Sequence, residues 1–233
     1  MRRDENRPRL ERERRRAEAA MDETGKRMAG HPPRQRRKQA RPGEIIEAGL
    51  AEFGESGFAA TRLEDVARRA GIAKGTIYLY FDSKEALFEA AVRSRLGPVL
   101  DEAGAMINAF PGPTIDLLRL LIPVIYAKLV DSDARILVRI ILSEGARFPA
   151  ITELYYRAAV AKGRAFLARI VERGVARGEF RAGPLTDLPI VLIAPVLMAA
   201  FWKMTFEPYD PIATERFLAA HLDLIVNGLL KRE

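Results

Sequence analysis

Residues 53–88 read FGESGFAATRLEDVARRAGIAKGTIYLYFDSKEALF, and this stretch decides the fold. Upstream of it, Pro42 suits a first helical position, and Ile46, Leu50 and Phe53 recur at i, i+4 and i+7 with Ile45 widening the stripe, so an amphipathic helix leads in. Gly54-Glu55-Ser56-Gly57 stops it, and Phe58 folds back over its end. Thr61 stands three residues before Glu64, the capping-box spacing, which predicts a second helix with Leu63, Val66, Ala67 and Ala70 facing inward. Gly71 breaks that helix after barely two turns, Ile72 plugs the bend, and another short helix runs from about Lys74 to Phe81. In it Ile77 and Phe81 form a buried pair at i and i+4, which leaves Lys74, Thr76, Tyr78 and Tyr80 on more exposed faces. Asp82-Ser83 with Glu85 starts a longer helix through Leu87, Phe88, Ala91, Val92 and Leu96.

A short helix, a glycine turn and a second short helix are how a protein offers one helix end to the major groove of DNA. The chemistry suits that geometry. Tyr78, Tyr80 and Lys84 can reach phosphate oxygens and fix the register, Lys74 and Thr76 can approach base edges, and Gly75 lets the backbone come close.

At this level the stretch resembles the DNA-binding domain of the TetR family of bacterial transcriptional regulators. The resemblance is carried by Gly57-Phe58, Thr61, Asp65-Val66-Ala67, Ala70-Gly71-Ile72, Lys74-Gly75-Thr76-Ile77-Tyr78, Tyr80-Phe81 and Ser83-Lys84-Glu85-Ala86-Leu87, and it spans about residues 42–90. It implies an all-α fold with an N-terminal three-helix helix-turn-helix domain and a C-terminal helical bundle for ligand binding and dimerisation. It also implies a homodimer on a palindromic operator of double-stranded DNA, acting as a repressor released by a small-molecule effector. In this family the Thr61 end of the second helix lies near a phosphate as well, which a helix N-terminus allows. One departure is Leu79, on the recognition helix where a polar residue could read a base.

The charge distribution sharpens this picture. The chain of 233 residues carries a net +7, but residues 1–41 hold 15 Lys+Arg against 7 Asp+Glu, leaving 23 against 24 in the remainder. Residues 42–90 are net acidic, with Arg62, Arg68, Arg69, Lys74 and Lys84 against nine carboxylates, so bulk charge does not drive this domain onto DNA. Residues 1–41, rich in Arg, Glu and Pro, have too few large apolar side chains to offset the entropy of ordering and are expected to be a disordered basic tail. The cluster Arg34, Arg36, Arg37, Lys38 and Arg41 can settle on phosphates beside the first folded helix. No apolar core follows the early arginines, so a secretory signal is not expected.

Beyond Pro98 helical pieces are expected near 99–109, 114–130, 134–144, 149–177, 186–206 and 211–231, making residues 91–233 the effector-binding and dimerisation domain. Leu188 to Trp202 is nearly all apolar but shorter than the roughly 20 residues of a bilayer span, and it carries Pro189 and Pro195; a buried interface helix fits better than a membrane one. Together with 211–231 it is expected to form the homodimer seam, with Leu222 and Leu229 as seam residues. Arg139 and Glu144 sit in otherwise apolar sequence, where an ionised group must be paired or line a cavity. If they line one, its walls are expected from Phe148, Tyr155, Phe166, Met198 and Trp202. His221, on the last apolar stripe, reads as a core or interface histidine.

Enzyme readings fare badly. The chain has no cysteine and two distant histidines, His31 and His221, which excludes thiol chemistry and disulfides and fits a cytoplasmic protein without a metal or other cofactor. Gly71 to Thr76 lacks the order and spacing of a phosphate loop and follows a helix, and the glycines of Gly54 to Gly57 do not bracket Ser56 as a nucleophile elbow does. The other open reading is a helical small-molecule sensor or carrier whose head does not bind DNA specifically.

Overall fold

A computed structural model describes residues 34–231, with side chains from Pro42 onward. The chain divides into two units, Met1–Gly43 and Glu44–Glu233. The basic tail expected over 1–41 lies outside the described residues up to position 33. The first helix, α1 (Arg34–Ala60), starts upstream of the Pro42 expected to open it, because Arg, Gln, Lys and Ala are all good helix formers.

α1 breaks at Gly57, whose φ of +77° is costly for any side chain. Thr61 then behaves differently from expectation: its hydroxyl donates to the Gly57 carbonyl at 2.6 Å and is buried, so it closes α1 instead of capping the next helix. Helix α2 (Leu63–Arg69) accordingly starts at Arg62 without a side-chain cap. α3 (Lys74–Ile77) is short, and Ile77 and Phe81 go into the core as expected. α4 (Lys84–Ala109) opens on Ser83, whose Oγ accepts from the Ala86 amide at 3.1 Å. It runs through Pro98, which had been expected to end it; the proline removes one helical bond but apolar contacts on both sides carry the helix across.

The body adds α5 (Thr114–Leu129), α6 (Ala134–Glu144) and α7 (Pro149–Tyr155), which passes through a π-turn (Tyr156–Val160) into α8 (Ala161–Ala176). The segment 186–206 is not one helix. A turn, α9 (Pro184–Asp187), gives way at Leu188 (φ −126°, ψ 69°) to a 3₁₀ stretch (Pro189–Ile193) before α10 (Ala194–Thr205), since the residue before a proline is pushed out of helical conformation. The last helix is α11 (Thr214–Leu229). Among the described residues the only extended pairing is one isolated bridge, Phe180 to Leu230.

Two apolar clusters hold the unit together. In the first, Ile45, Phe53, Phe58, Val66, Ile77 and Phe88 of the head pack with Leu137 and Ile140 of α6, so head and body share a core. Phe58 stacks on Phe53 with ring centroids at 5.7 Å and meets Phe88 edge-on at 5.7 Å and Phe148 at 5.1 Å. The second cluster joins α5, α8, α10 and α11 around Leu117, Ile122, Tyr126, Ile170, Val196 and Ile225. His221 belongs to this core: its Nε2 lies 2.9 Å from the Leu192 carbonyl, and burial holds its pKa below the ordinary value, so the ring is neutral.

Candidate functional site

The recognition face is built on α3. Ile77 anchors the helix from below, so Lys74, Gly75 and Tyr78 are turned outward and Thr76 and Tyr80 are half-buried at its edges. A Cβ built at Gly75 would meet nothing within 4 Å, so nothing inside the fold requires glycine there. Leu79 is 82% exposed, with no packing role to explain an apolar residue at that point. Glu64 of α2 lies across this face, 3.0 Å from the Lys74 Nζ and accepting a 3.0 Å hydrogen bond from the Tyr78 hydroxyl. Its own backbone amide, then Lys74 and Tyr78, lower its carboxyl pKa to about 2, so it is ionised at any working pH.

Two of the seven expected DNA contacts are occupied elsewhere. Thr61 is buried with its hydroxyl spent on Gly57. The Lys84 ammonium donates to the Phe58 and Ala59 carbonyls at 2.8 and 2.9 Å and sits 4.7 Å from the Phe58 ring centre, where it caps the end of α1.

The body holds a cavity of about 400 Å³ between α4, α5, α6, α7, α8, the 3₁₀ stretch and the start of α10, walled by side chains such as Leu100, Leu121, Ile125, Ile141 and Leu167. Tyr155 and Phe166 line it as expected. The other five expected residues do not. Phe148 packs on Phe58, Met198 is half-exposed on the outside, and Trp202 donates its Nε1 proton to the Asp210 carbonyl at 2.7 Å. Arg139 and Glu144 do meet the demand that a charge in apolar surroundings be paired, but with backbone rather than with each other or a ligand. Arg139 donates to the Phe53 and Gly54 carbonyls at the end of α1. Glu144 accepts from the Phe58 and Ala59 amides at 2.7 and 2.8 Å.

Residues 45–91 match the family model of tetR-type bacterial regulatory proteins, and residues 115–220 match that of the tetracyclin repressor-like C-terminal domain. The chain belongs to the TetR family. The HTH-type transcriptional repressor KstR2 of Mycobacterium tuberculosis is 23% identical over 195 residues, 82% of this chain and 94% of the relative. The fatty acid metabolism regulator protein of Bacillus subtilis is 26% identical over 202 residues, 82% of this chain and 98% of the relative. Among solved structures, Bacillus subtilis FadR in complex with stearoyl-CoA superposes with a TM-score of 0.68 at 22% identity, covering 79% of this chain and 97% of that one. This TetR-family protein is therefore a helix-turn-helix DNA-binding transcriptional regulator, and its relatives are regulators rather than enzymes. No helix among the described residues is long and apolar enough to cross a membrane.

At one corner of this TetR-type head three charged side chains converge, Lys84 from α4 and Arg139 and Glu144 from α6 of the body. The peptide groups of Phe58 and Ala59 give their N–H to Glu144 and receive Lys84 at their C=O, while Arg139 holds the carbonyls one turn earlier. Sequence reasoning missed this clamp. Its signal was present in part, as two ionised residues on an apolar helix, but the partners are backbone atoms more than eighty positions away and leave no mark in side-chain pattern.

Glu64 makes a testable electrostatic claim. Glu64→Gln removes the carboxylate that occupies Lys74, so each copy of the chain on DNA gains one cation able to displace a phosphate counterion. The variant is expected to bind random-sequence duplex more tightly and to steepen the fall of log K with log salt by about 0.9 per bound chain. A salt titration in which the slope does not move overturns the role assigned to Glu64.

Proposed function

We propose that the protein is a cytoplasmic repressor that binds a palindromic operator as a homodimer through α3 and is released when a small apolar or amphipathic effector fills the body cavity. The observation that supports the DNA half best is the face made by Lys74, Gly75, Thr76 and Tyr78: these residues run from the first residue of a short helix after a tight turn to the residue that ends it, and apart from Glu64 their side chains have no hydrogen-bond or ionic partner within the fold among the described residues. Tyr80, half-buried beside them, would add a phosphate contact through its hydroxyl; Thr61 and Lys84 would contribute by shaping the α1 corner.

The dimer reading is supported by exposed apolar side chains on consecutive C-terminal elements, with Leu188, Val191, Met198, Phe201 and Leu224 all at least a third exposed. The seam runs through these residues and not through Leu222 and Leu229. Leu229 is fully buried and Leu222 packs against the body core, because α11 turns that stripe inward. The effector reading is supported by the cavity, whose size lies within the roughly 300–1,000 Å³ typical of small-molecule sites. By linkage, an effector that weakens operator binding is itself weakened by the operator to the same degree.

The test is selection of bound DNA from a random duplex library with the full-length protein at fixed salt. One enriched palindrome is expected. Lys74→Ala with Tyr78→Ala should lower affinity for it about tenfold or more, since each lost contact counts twice in a dimer. Sequence-blind, salt-sensitive binding would instead favour a helical sensor whose head has lost operator recognition.

A further inference from the structure

The lining of the cavity carries charge at one place only among the described residues, Arg164. It belongs to the segment where α7 passes through the π-turn into α8. There, two helical rows face the cavity together: Tyr155, Ala159 and Gly163, and beside them Tyr156, Val160 and Arg164. A π-turn inserts an extra residue into a helix at some cost in hydrogen-bond geometry, and such insertions concentrate where a ligand is bound. The Arg164 Nη1 lies 3.5 Å from the Tyr156 hydroxyl. Its helical neighbour Arg157 has Glu153 at 3.8 Å, whereas Arg164 has no carboxylate partner among the described residues. The Tyr155 hydroxyl has no hydrogen-bond partner among them either, and burial pushes its phenol up to about 12, so it stays a neutral donor.

These facts constrain the effector, given the reading of this cavity as the effector site. The walls are largely apolar, and an ionised group taken between them without a partner would be strongly disfavoured. Arg164 is itself exposed, which puts it at the margin of the cavity. A molecule that satisfies both conditions has its apolar body inside and one anionic group at the margin. We propose that the cavity takes an amphipathic monocarboxylate, a long apolar chain or fused apolar body with a single carboxylate head, and that Arg164 holds that head while the Tyr156 hydroxyl lies beside it. The planar guanidinium matches a carboxylate with two parallel donors, which a lysine cannot reproduce. The head remains in water-accessible surroundings, so Arg164 sets selectivity and orientation, and the apolar body supplies most of the affinity.

The experiment is calorimetric titration of the full-length protein with dodecanoate and with 1-dodecanol, which share the apolar body and differ in the head. The acid is expected to bind about tenfold or more tighter than the alcohol. Arg164→Gln should abolish that preference by weakening the acid alone, and Arg164→Lys should restore part of it. Leu121→Trp, filling the cavity, should remove binding of both while leaving the helical circular dichroism unchanged. Equal affinity of acid and alcohol for the unaltered protein overturns the carboxylate proposal and leaves the cavity as an apolar effector site. Binding of neither overturns both. A preference that persists in Arg164→Gln places the anion elsewhere and also overturns the assignment. Binding of both in Leu121→Trp would move the ligand out of this cavity.

Discussion

Phe58→Ala is expected to destabilise the protein by about 3–5 kcal/mol, the loss typical of a large buried aromatic. Phe58 is fully buried and touches Phe53, Phe88 and Phe148, which come from α1, α4 and the loop after α6. Truncating it opens a space at the point where head and body share their core, and three rings cannot close on it without moving their helices. It also removes the face over which Lys84 lies, at 4.7 Å from the ring centre. Denaturant unfolding followed by circular dichroism checks the figure. A loss under about 1 kcal/mol would mean that the site collapses and that head and body are not held by this cluster.

Glu144→Ala is expected to have the next largest effect, about 2 kcal/mol of stability together with local loosening of the corner where body meets head. Each amide-to-carboxylate bond belongs to the charge-assisted class, worth about 1.5–3 kcal/mol when sheltered, and partial exposure of this pair reduces that. The local reading is sharper than the global one: in native-state hydrogen exchange the amides of Phe58 and Ala59 should lose protection while those in the middle of α8 keep theirs. Glu144→Gln retains one acceptor and should fall between. Unchanged exchange at Phe58 and Ala59 in Glu144→Ala would show that the clamp does not hold the corner. Because α6 lines the cavity with Val138, Ile141 and Leu142 while its Arg139 and Glu144 hold α1, whatever fills the cavity acts on a helix already tied to the head.

How far the sequence carried is clearest residue by residue. Ile77 and Phe81, spaced four apart beside a run of polar residues, announced the buried side of the recognition helix, and the cap at Ser83 announced where α4 begins. Both are local, set by neighbours within one turn. Thr61 and Glu64 had the spacing of a capping box, yet each found a stronger local or cross-helix partner: Thr61 the open carbonyl of Gly57, Glu64 the cation of Lys74. Spacing shows that a bond is possible without showing what competes for it. Arg139 and Glu144 were rightly read as needing partners, but those partners are main-chain groups distant in sequence, which no side-chain pattern can encode. Met198 and Trp202 belong to the stretch 186–206, which the sequence presents as one helix. The break at Leu188-Pro189 rotates α10 and turns Met198 to the surface.

The hydrogen bonds of the clamp at the α1 corner all go to peptide groups: Arg139 to carbonyls, Glu144 to amides, Lys84 to carbonyls again. A contact of that kind reads backbone shape and is indifferent to which side chains the recognition helix displays. Lys74, Thr76, Tyr78 and Leu79 are therefore free to be exchanged, by design or by drift, without loosening the grip of the body on the head. A chimaera that keeps Gly57, Thr61, Lys84 and the two α6 residues Arg139 and Glu144 but carries another recognition surface should keep its head docked on the body while reading a new address on the chromosome.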